Sequence, residues 1–131
     1  MAKNAKNFEE RPWGSFEVIK EFEVENGYAD FPGREVVIKK ITVKPGQMLS
    51  YQSHRKRRET WFVAQGQGKV IKDDEEILVG KGSVVSIKEN AKHRIGNISE
   101  KINLIFIEIS EGEFDENDIT RYSDDYGRAK K

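Results

Sequence analysis

The chain has 131 residues, material for one compact domain, with 23 basic and 23 acidic side chains and no cysteine. Balanced charge leaves no overall field to draw it to nucleic acid or an anionic membrane, and the missing cysteine excludes disulfides, thiolate zinc sites and thiol catalysis together. No apolar run could cross a bilayer and residues 1–7 lack the apolar stretch of a signal peptide, so a cytoplasmic protein with no nucleic-acid or membrane partner is expected.

From the start, residues 1–10 read as a polar lead-in. Phe16, Val18, Phe22 and Val24 then alternate with polar residues, which predicts a strand with a break around 19–21. Residues 26–33, with Gly27, Pro32 and Gly33, read as a loop, and residues 36–43 as a second strand ended by Pro45-Gly46. Short strands are predicted at 49–54, 60–64, 69–72, 75–79, 83–87 and 102–109, with Asp73-Asp74 as a tight hairpin turn. A short helical segment of a turn or two is expected only near the C-terminus, over 115–122. Many short strands with glycine-marked turns make the fold all-β, a sandwich or a barrel.

Metal chemistry is concentrated between Gly46 and Gly66. Gln52 and His54 stand two apart, so on a strand both side chains leave the same face. Glu59 follows the polar run Arg55-Lys56-Arg57-Arg58 and heads the apolar segment Trp61-Phe62-Val63-Ala64, the pattern of a strand, a turn and a returning strand. Of the two histidines, the second, His93, lies in another strand-and-turn setting, Lys92-His93-Arg94-Ile95. An amide oxygen, two imidazoles and a carboxylate suit zinc, manganese, iron, cobalt or nickel, and suit calcium or magnesium poorly. One divalent transition metal, zinc first, is therefore expected at Gln52, His54, Glu59 and His93. The plain alternative is a chance grouping of polar residues.

Gly46, five residues, Gln52-x-His54, four more, Glu59, six more and Gly66 resemble the first motif of the cupin family, with Gln in place of its first His. Gly82, five residues, Lys88-x-Asn90, two more, His93, three more and Asn97 resemble the second, with Lys88 and Asn90 where the family has Pro and Gly. Asn tolerates the left-handed backbone that Gly would supply, and losing Pro frees the turn. Arg11-Pro12-Trp13-Gly14, residues 39–46 and residues 118–128 look like the type II phosphomannose isomerase branch of the cupins, a likeness running from about Arg11 to Arg128. The resemblance implies a single double-stranded β-helix, or jelly-roll, barrel over 11–131 and a homodimer. It also implies interconversion of mannose 6-phosphate and fructose 6-phosphate at the metal. In that family the domain commonly follows a part that makes GDP-mannose; this chain starts at the isomerase segment, so a stand-alone enzyme is expected. A Gln-x-His pair in the wider set of isomerase cupins favours Gln52 as a ligand.

Moving a carbonyl between C1 and C2 needs a proton carrier, an electrophile for the enediolate oxygens and a cation for the remote phosphate. The metal would be the electrophile. Arg57, in the Arg slot of the family's His-His-His-Arg run, and Arg128 of Tyr-Gly-Arg are the phosphate candidates, since guanidinium presents a fork of donors. The proton carrier stays open among Lys56, Lys69, Lys88, Asp118, Asp124 and Asp125. Trp61, in an apolar strand, reads as core rather than a sugar platform, and Trp13 as packing for the N-terminal segment. The family's histidines after His54 are Arg55 and Lys56 here, and the one after Glu59 is Thr60. A second function therefore stands beside the first: a non-catalytic cupin that binds a phosphorylated sugar or nucleotide sugar. A cupin oxygenase would need open positions on iron, which a four-ligand set disfavours.

Overall fold

The computed structural model describes residues 7–24, 34–115 and 117–123. Among these, strands form at Phe8–Arg11 (β1), Gly14–Val24 (β2), Arg34–Val43 (β3), Tyr51–Ser53 (β4), Arg57–Gln65 (β5), Gln67–Lys72 (β6), Glu75–Gly80 (β7), Val84–Ile87 (β8), His93–Asn97 (β9), Leu104–Gly112 (β10) and Thr120–Ser123 (β11). All pairings are antiparallel, in a six-stranded sheet ordered β1-β2-β3-β10-β5-β8 and a five-stranded sheet ordered β11-β4-β9-β6-β7.

Local chemistry explains the details. The break expected at 19–21 is a bulge: the register of β2 against β3 slips between Val18 and Lys20, and the strand continues to Val24. Asp73 and Asp74 both take positive φ, 46° and 69°, as a two-residue hairpin turn between β6 and β7 requires. The last residues of the 1–10 lead-in pair with β2, Phe8 opposite Glu17 and Arg11 opposite Gly14. Gly46 and Gly66, the motif glycines, are needed for different reasons. Gly46 has φ +73° with open space where a Cβ would stand, whereas Gly66, at φ +90°, would also press a Cβ to 2.9 Å from the Asn103 carbonyl oxygen.

The helical turns expected over 115–122 do not form. Asp118 N–H donates to the Asp115 carbonyl in a single turn, and Thr120–Ser123 is a strand paired with β4. This stretch finds stronger partners on the barrel than a helix would give it. The Asp118 carboxylate accepts from the N–H groups of Arg55 and Lys56, both at 2.9 Å, and the Ser53 and Tyr122 hydroxyls lie 2.8 Å apart. No helix among the described residues is long and apolar enough to cross a membrane.

The two sheets close on one core that includes Val43, Val63, Leu104 and Phe106 from one and Val70 and Ile95 from the other. Burying a side chain of that size stabilises by ~1.5–3 kcal/mol. Alternation places Glu59, Trp61 and Val63 of β5 inward, and Leu104, Phe106, Glu108 and Ser110 of β10. Along these strands the inward series changes from apolar to polar. The polar end of the barrel holds the site.

Candidate metal centre

Gln52 of β4 stands directly opposite His93 of β9 in the five-stranded sheet, and His54 follows β4 immediately. Glu59 reaches the same point from β5 in the facing sheet. His54, Glu59 and His93 are all buried, and each offers a ligand atom within 4.8 Å of the other two.

Each imidazole is oriented by a backbone carbonyl. His54 Nδ1 lies 2.8 Å from the Asp118 carbonyl oxygen and His93 Nδ1 lies 2.9 Å from that of Ala91. A carbonyl can only accept, so each Nδ1 donates, and each Nε2 is the ring nitrogen turned to the cluster. Both Nε2 atoms approach one carboxylate: His54 Nε2 is 3.4 Å from Glu59 Oε2, and His93 Nε2 is 3.7 Å from Oε1. Burial, and next the neighbouring Arg57 charge, push the His54 imidazole down to about 4, so it is neutral at neutral pH. Trp61 Nε1 donates to Glu59 Oε1 at 3.0 Å, and its ring meets His93 edge-on at 5.7 Å and Phe106 at 5.2 Å. Trp61 is thus core, as expected, and also orients the carboxylate.

The donor set fits a transition metal. His93 Nε2 is buried with no hydrogen-bond partner, and a buried polar atom left in that state costs ~1–3 kcal/mol. A cation bonded to it removes that cost. Gln52 joins through its amide, with Nε2 3.4 Å from His54 Nε2 while Ser50 Oγ donates to Oε1 at 2.8 Å. Turning the amide over would present Oε1 to the cluster and Nε2 to Ser50, whose hydroxyl accepts as readily as it donates.

A cavity of about 500 Å³ opens beside the cluster, lined by Gln52 and Glu59 together with Arg57, Lys39, Glu108 and Asp118 among others. Arg57 Nη2 lies 3.1 Å from His54 Nε2 and its Nε 3.6 Å from Glu59 Oε2, with the guanidinium over the Phe114 ring. An anion held by Arg57 would therefore lie next to the histidine–glutamate cluster. Arg128, the other phosphate candidate, lies outside the described residues, as do Asp124 and Asp125. Of the remaining proton-carrier candidates, Lys56 pairs with Asp115 and Glu113, Lys69 pairs with Glu76, and Lys88 is absent from the cavity wall. Asp118 does line the cavity. Burial raises its carboxyl, but the Arg55 and Lys56 N–H groups outweigh that and hold it below the usual carboxylate range. The three residues that stand where the family has further histidines, Arg55, Lys56 and Thr60, all lie off the cavity wall, Thr60 on the outward side of β5. The sequence reading missed Glu108 and Lys39. The signal for Glu108 was a carboxyl in phase with Leu104 and Phe106 in an otherwise apolar strand.

An antiparallel two-sheet barrel with this histidine–glutamate cluster set inside one end is a cupin. The chain belongs to the family described as Mannose-6-phosphate isomerase C-terminal, which matches residues 2–124. It is 37% identical over 120 residues to a mannose-1-phosphate guanylyltransferase of Escherichia coli K12, covering 91% of this chain and 23% of that one. The alginate biosynthesis protein AlgA of Pseudomonas aeruginosa is 39% identical (91% and 22%), and the xanthan biosynthesis protein XanB of Xanthomonas campestris 36% (91% and 23%). The chain therefore spans less than a quarter of the length of these relatives. Among solved structures, the capsular polysaccharide assembling protein CapF of Staphylococcus aureus superposes with a TM-score of 0.69 at 22% identity, over 87% of this chain and 33% of that one. A protein with a double-stranded β-helix domain from Klebsiella pneumoniae gives 0.59 at 17%, over 82% of each. Both likenesses bear on the fold, which is the double-stranded β-helix expected.

The relatives also correct an expectation. A stand-alone enzyme interconverting mannose 6-phosphate and fructose 6-phosphate is not what they are: they are named as a guanylyltransferase and as polysaccharide biosynthesis proteins, each much longer than the segment that matches. The resemblance of motifs carried the fold and the family, and the isomerase activity does not follow from either.

Proposed function

We propose that this cupin domain binds a phosphorylated sugar beside a divalent transition metal, the metal at Gln52, His54, Glu59 and His93 and the phosphate against Arg57. The observation that carries the reading is His93 Nε2, buried without a hydrogen-bond partner and turned to the carboxylate that His54 also faces. When bound, the metal supplies a Lewis-acid contact for one ligand oxygen. The chain supplies the remainder. Trp61, through its N–H, and the carbonyls of Asp118 and Ala91 fix the three ligand side chains. Arg57 offers a planar fork of donors suited to phosphate oxygens. Trp13, Phe16 and Ile41 give the cavity an apolar wall on which a sugar face can lie. Relatives named for a mannose phosphate and for polysaccharide biosynthesis favour a sugar over other phosphate compounds.

Calorimetry on the zinc-loaded protein tests the reading, with mannose 6-phosphate compared against mannose. The phosphate should raise affinity at least ~10-fold, and Arg57→Ala should remove ~1.5–3 kcal/mol of binding, the scale of a hydrogen bond to a charged group. Equal affinity for the two sugars would overturn it.

A further inference from the structure

Strand β10 carries Leu104, Phe106, Glu108 and Ser110 on its inward side, and the first two complete the core. Glu108 is only 8% exposed and still lines the cavity. A carboxyl placed there is costly to fold around unless something binds it. Ser110 Oγ donates to Glu108 Oε1 at 2.8 Å, which engages one of its two oxygens. Lys39 stands opposite Glu108 in the β3–β10 register and lines the same cavity, with Nζ over the Phe16 ring, 4.6 Å from its centroid. Burial, and next the Glu59 charge, push the Glu108 carboxyl above the usual range, while Lys39 pulls it down. Neither residue is among the metal ligands. In register, Ser110 lies opposite Glu59 and Glu108 one inward position further on, opposite Trp61.

We propose that Glu108 and Lys39 are the specificity-determining wall of the cavity, bonding the hydroxyls of a sugar whose phosphate lies against Arg57. This rests on the function proposed above. A carboxyl can take two neighbouring hydroxyls at once, and an ammonium donates to a third oxygen. Phe16 beside them offers an apolar surface for the C–H groups of the ring. A site built to bond hydroxyls rejects ligands that lack or misplace one, because its buried polar groups are then left unpaired.

The competing role is a charge interaction between the two that serves folding alone. Calorimetry on the zinc-loaded protein separates the two, with mannose 6-phosphate, its C2 epimer glucose 6-phosphate and inorganic phosphate as probes. Glu108→Gln and Lys39→Met should each weaken mannose 6-phosphate ~10-fold or more and shrink its preference over the epimer. Inorganic phosphate affinity and zinc content should stay at wild-type values, with the barrel still folded. Wild-type binding of mannose 6-phosphate with less than ~3-fold change in both variants would overturn this inference and leave the proposed function standing. Parallel loss of zinc, phosphate and melting temperature would also overturn it, in favour of the folding role. A wild-type protein that binds no sugar phosphate would overturn both.

Discussion

The backbone N–H of Asn90 donates to the carbonyl oxygen of His54 across 2.7 Å. The turn of the second motif is thereby tied to His54 of the first, and Asn90 makes the bond from a left-handed conformation, φ 68°. Asn tolerates that region, Gly is unstrained in it, and a β-branched residue is not. Asn90→Gly should therefore change stability by less than ~1 kcal/mol, whereas Asn90→Val should cost ~1–3 kcal/mol and weaken metal retention as the turn pulls on His54. Urea denaturation read beside metal content checks this. Equal stability of the two variants would show that the turn is not held as described.

Much of this was legible beforehand, because it depends on local chemistry. Asn90 in a glycine slot and the Asp73-Asp74 turn follow from which residues accept positive φ. The two-residue spacing of Gln52 and His54 follows from strand alternation. The C-terminal strand was not legible, since β11 exists through its pairing with β4 and through the Asp118 carboxylate on Arg55 and Lys56, partners more than 60 residues away. Glu108 and Lys39 were hidden for a similar reason. Their strands could be foreseen, but which end of the barrel each inward residue reaches depends on the registers of β10 with β3 and β5.

Asp118 ties the closing segment to the turn after β4 twice, by its carbonyl on His54 Nδ1 and by its carboxylate on the Arg55 and Lys56 amides. Asp118→Ala keeps the carbonyl and loses both amide bonds, at an expected cost on the order of 2–3 kcal/mol. Asp118→Asn retains one good acceptor and should recover about half. Thermal melts of the metal-free proteins give the ranking. A neutral Asp118→Ala would mean that the segment is held by β11 pairing alone.

His54 sets an acid limit on stability. Its ordinary value is 6.5 and its folded value about 4, so between those pH values the unfolded chain binds more protons than the folded one. Stability is fully present above 6.5 and falls as pH drops toward 4, by up to ~3 kcal/mol from this group. Glu108, raised in the fold, acts in the opposite sense and lessens the net slope. Urea midpoints of metal-free wild type and His54→Gln, compared from pH 4 to 8 in the presence of a chelator, isolate the His54 part. The variant should show the shallower acid loss, and parallel curves would contradict a buried, neutral His54.

The most direct measurement is metal content per chain after reconstitution with zinc and exhaustive dialysis, for wild type, His54→Ala, His93→Ala and Gln52→His. If His54, Glu59, His93 and Gln52 share one ion, the wild type retains one zinc, each alanine variant retains little, and Gln52→His retains at least as much, because imidazole is the better donor. Full zinc content in both alanine variants, with the barrel folded, would contradict the metal centre.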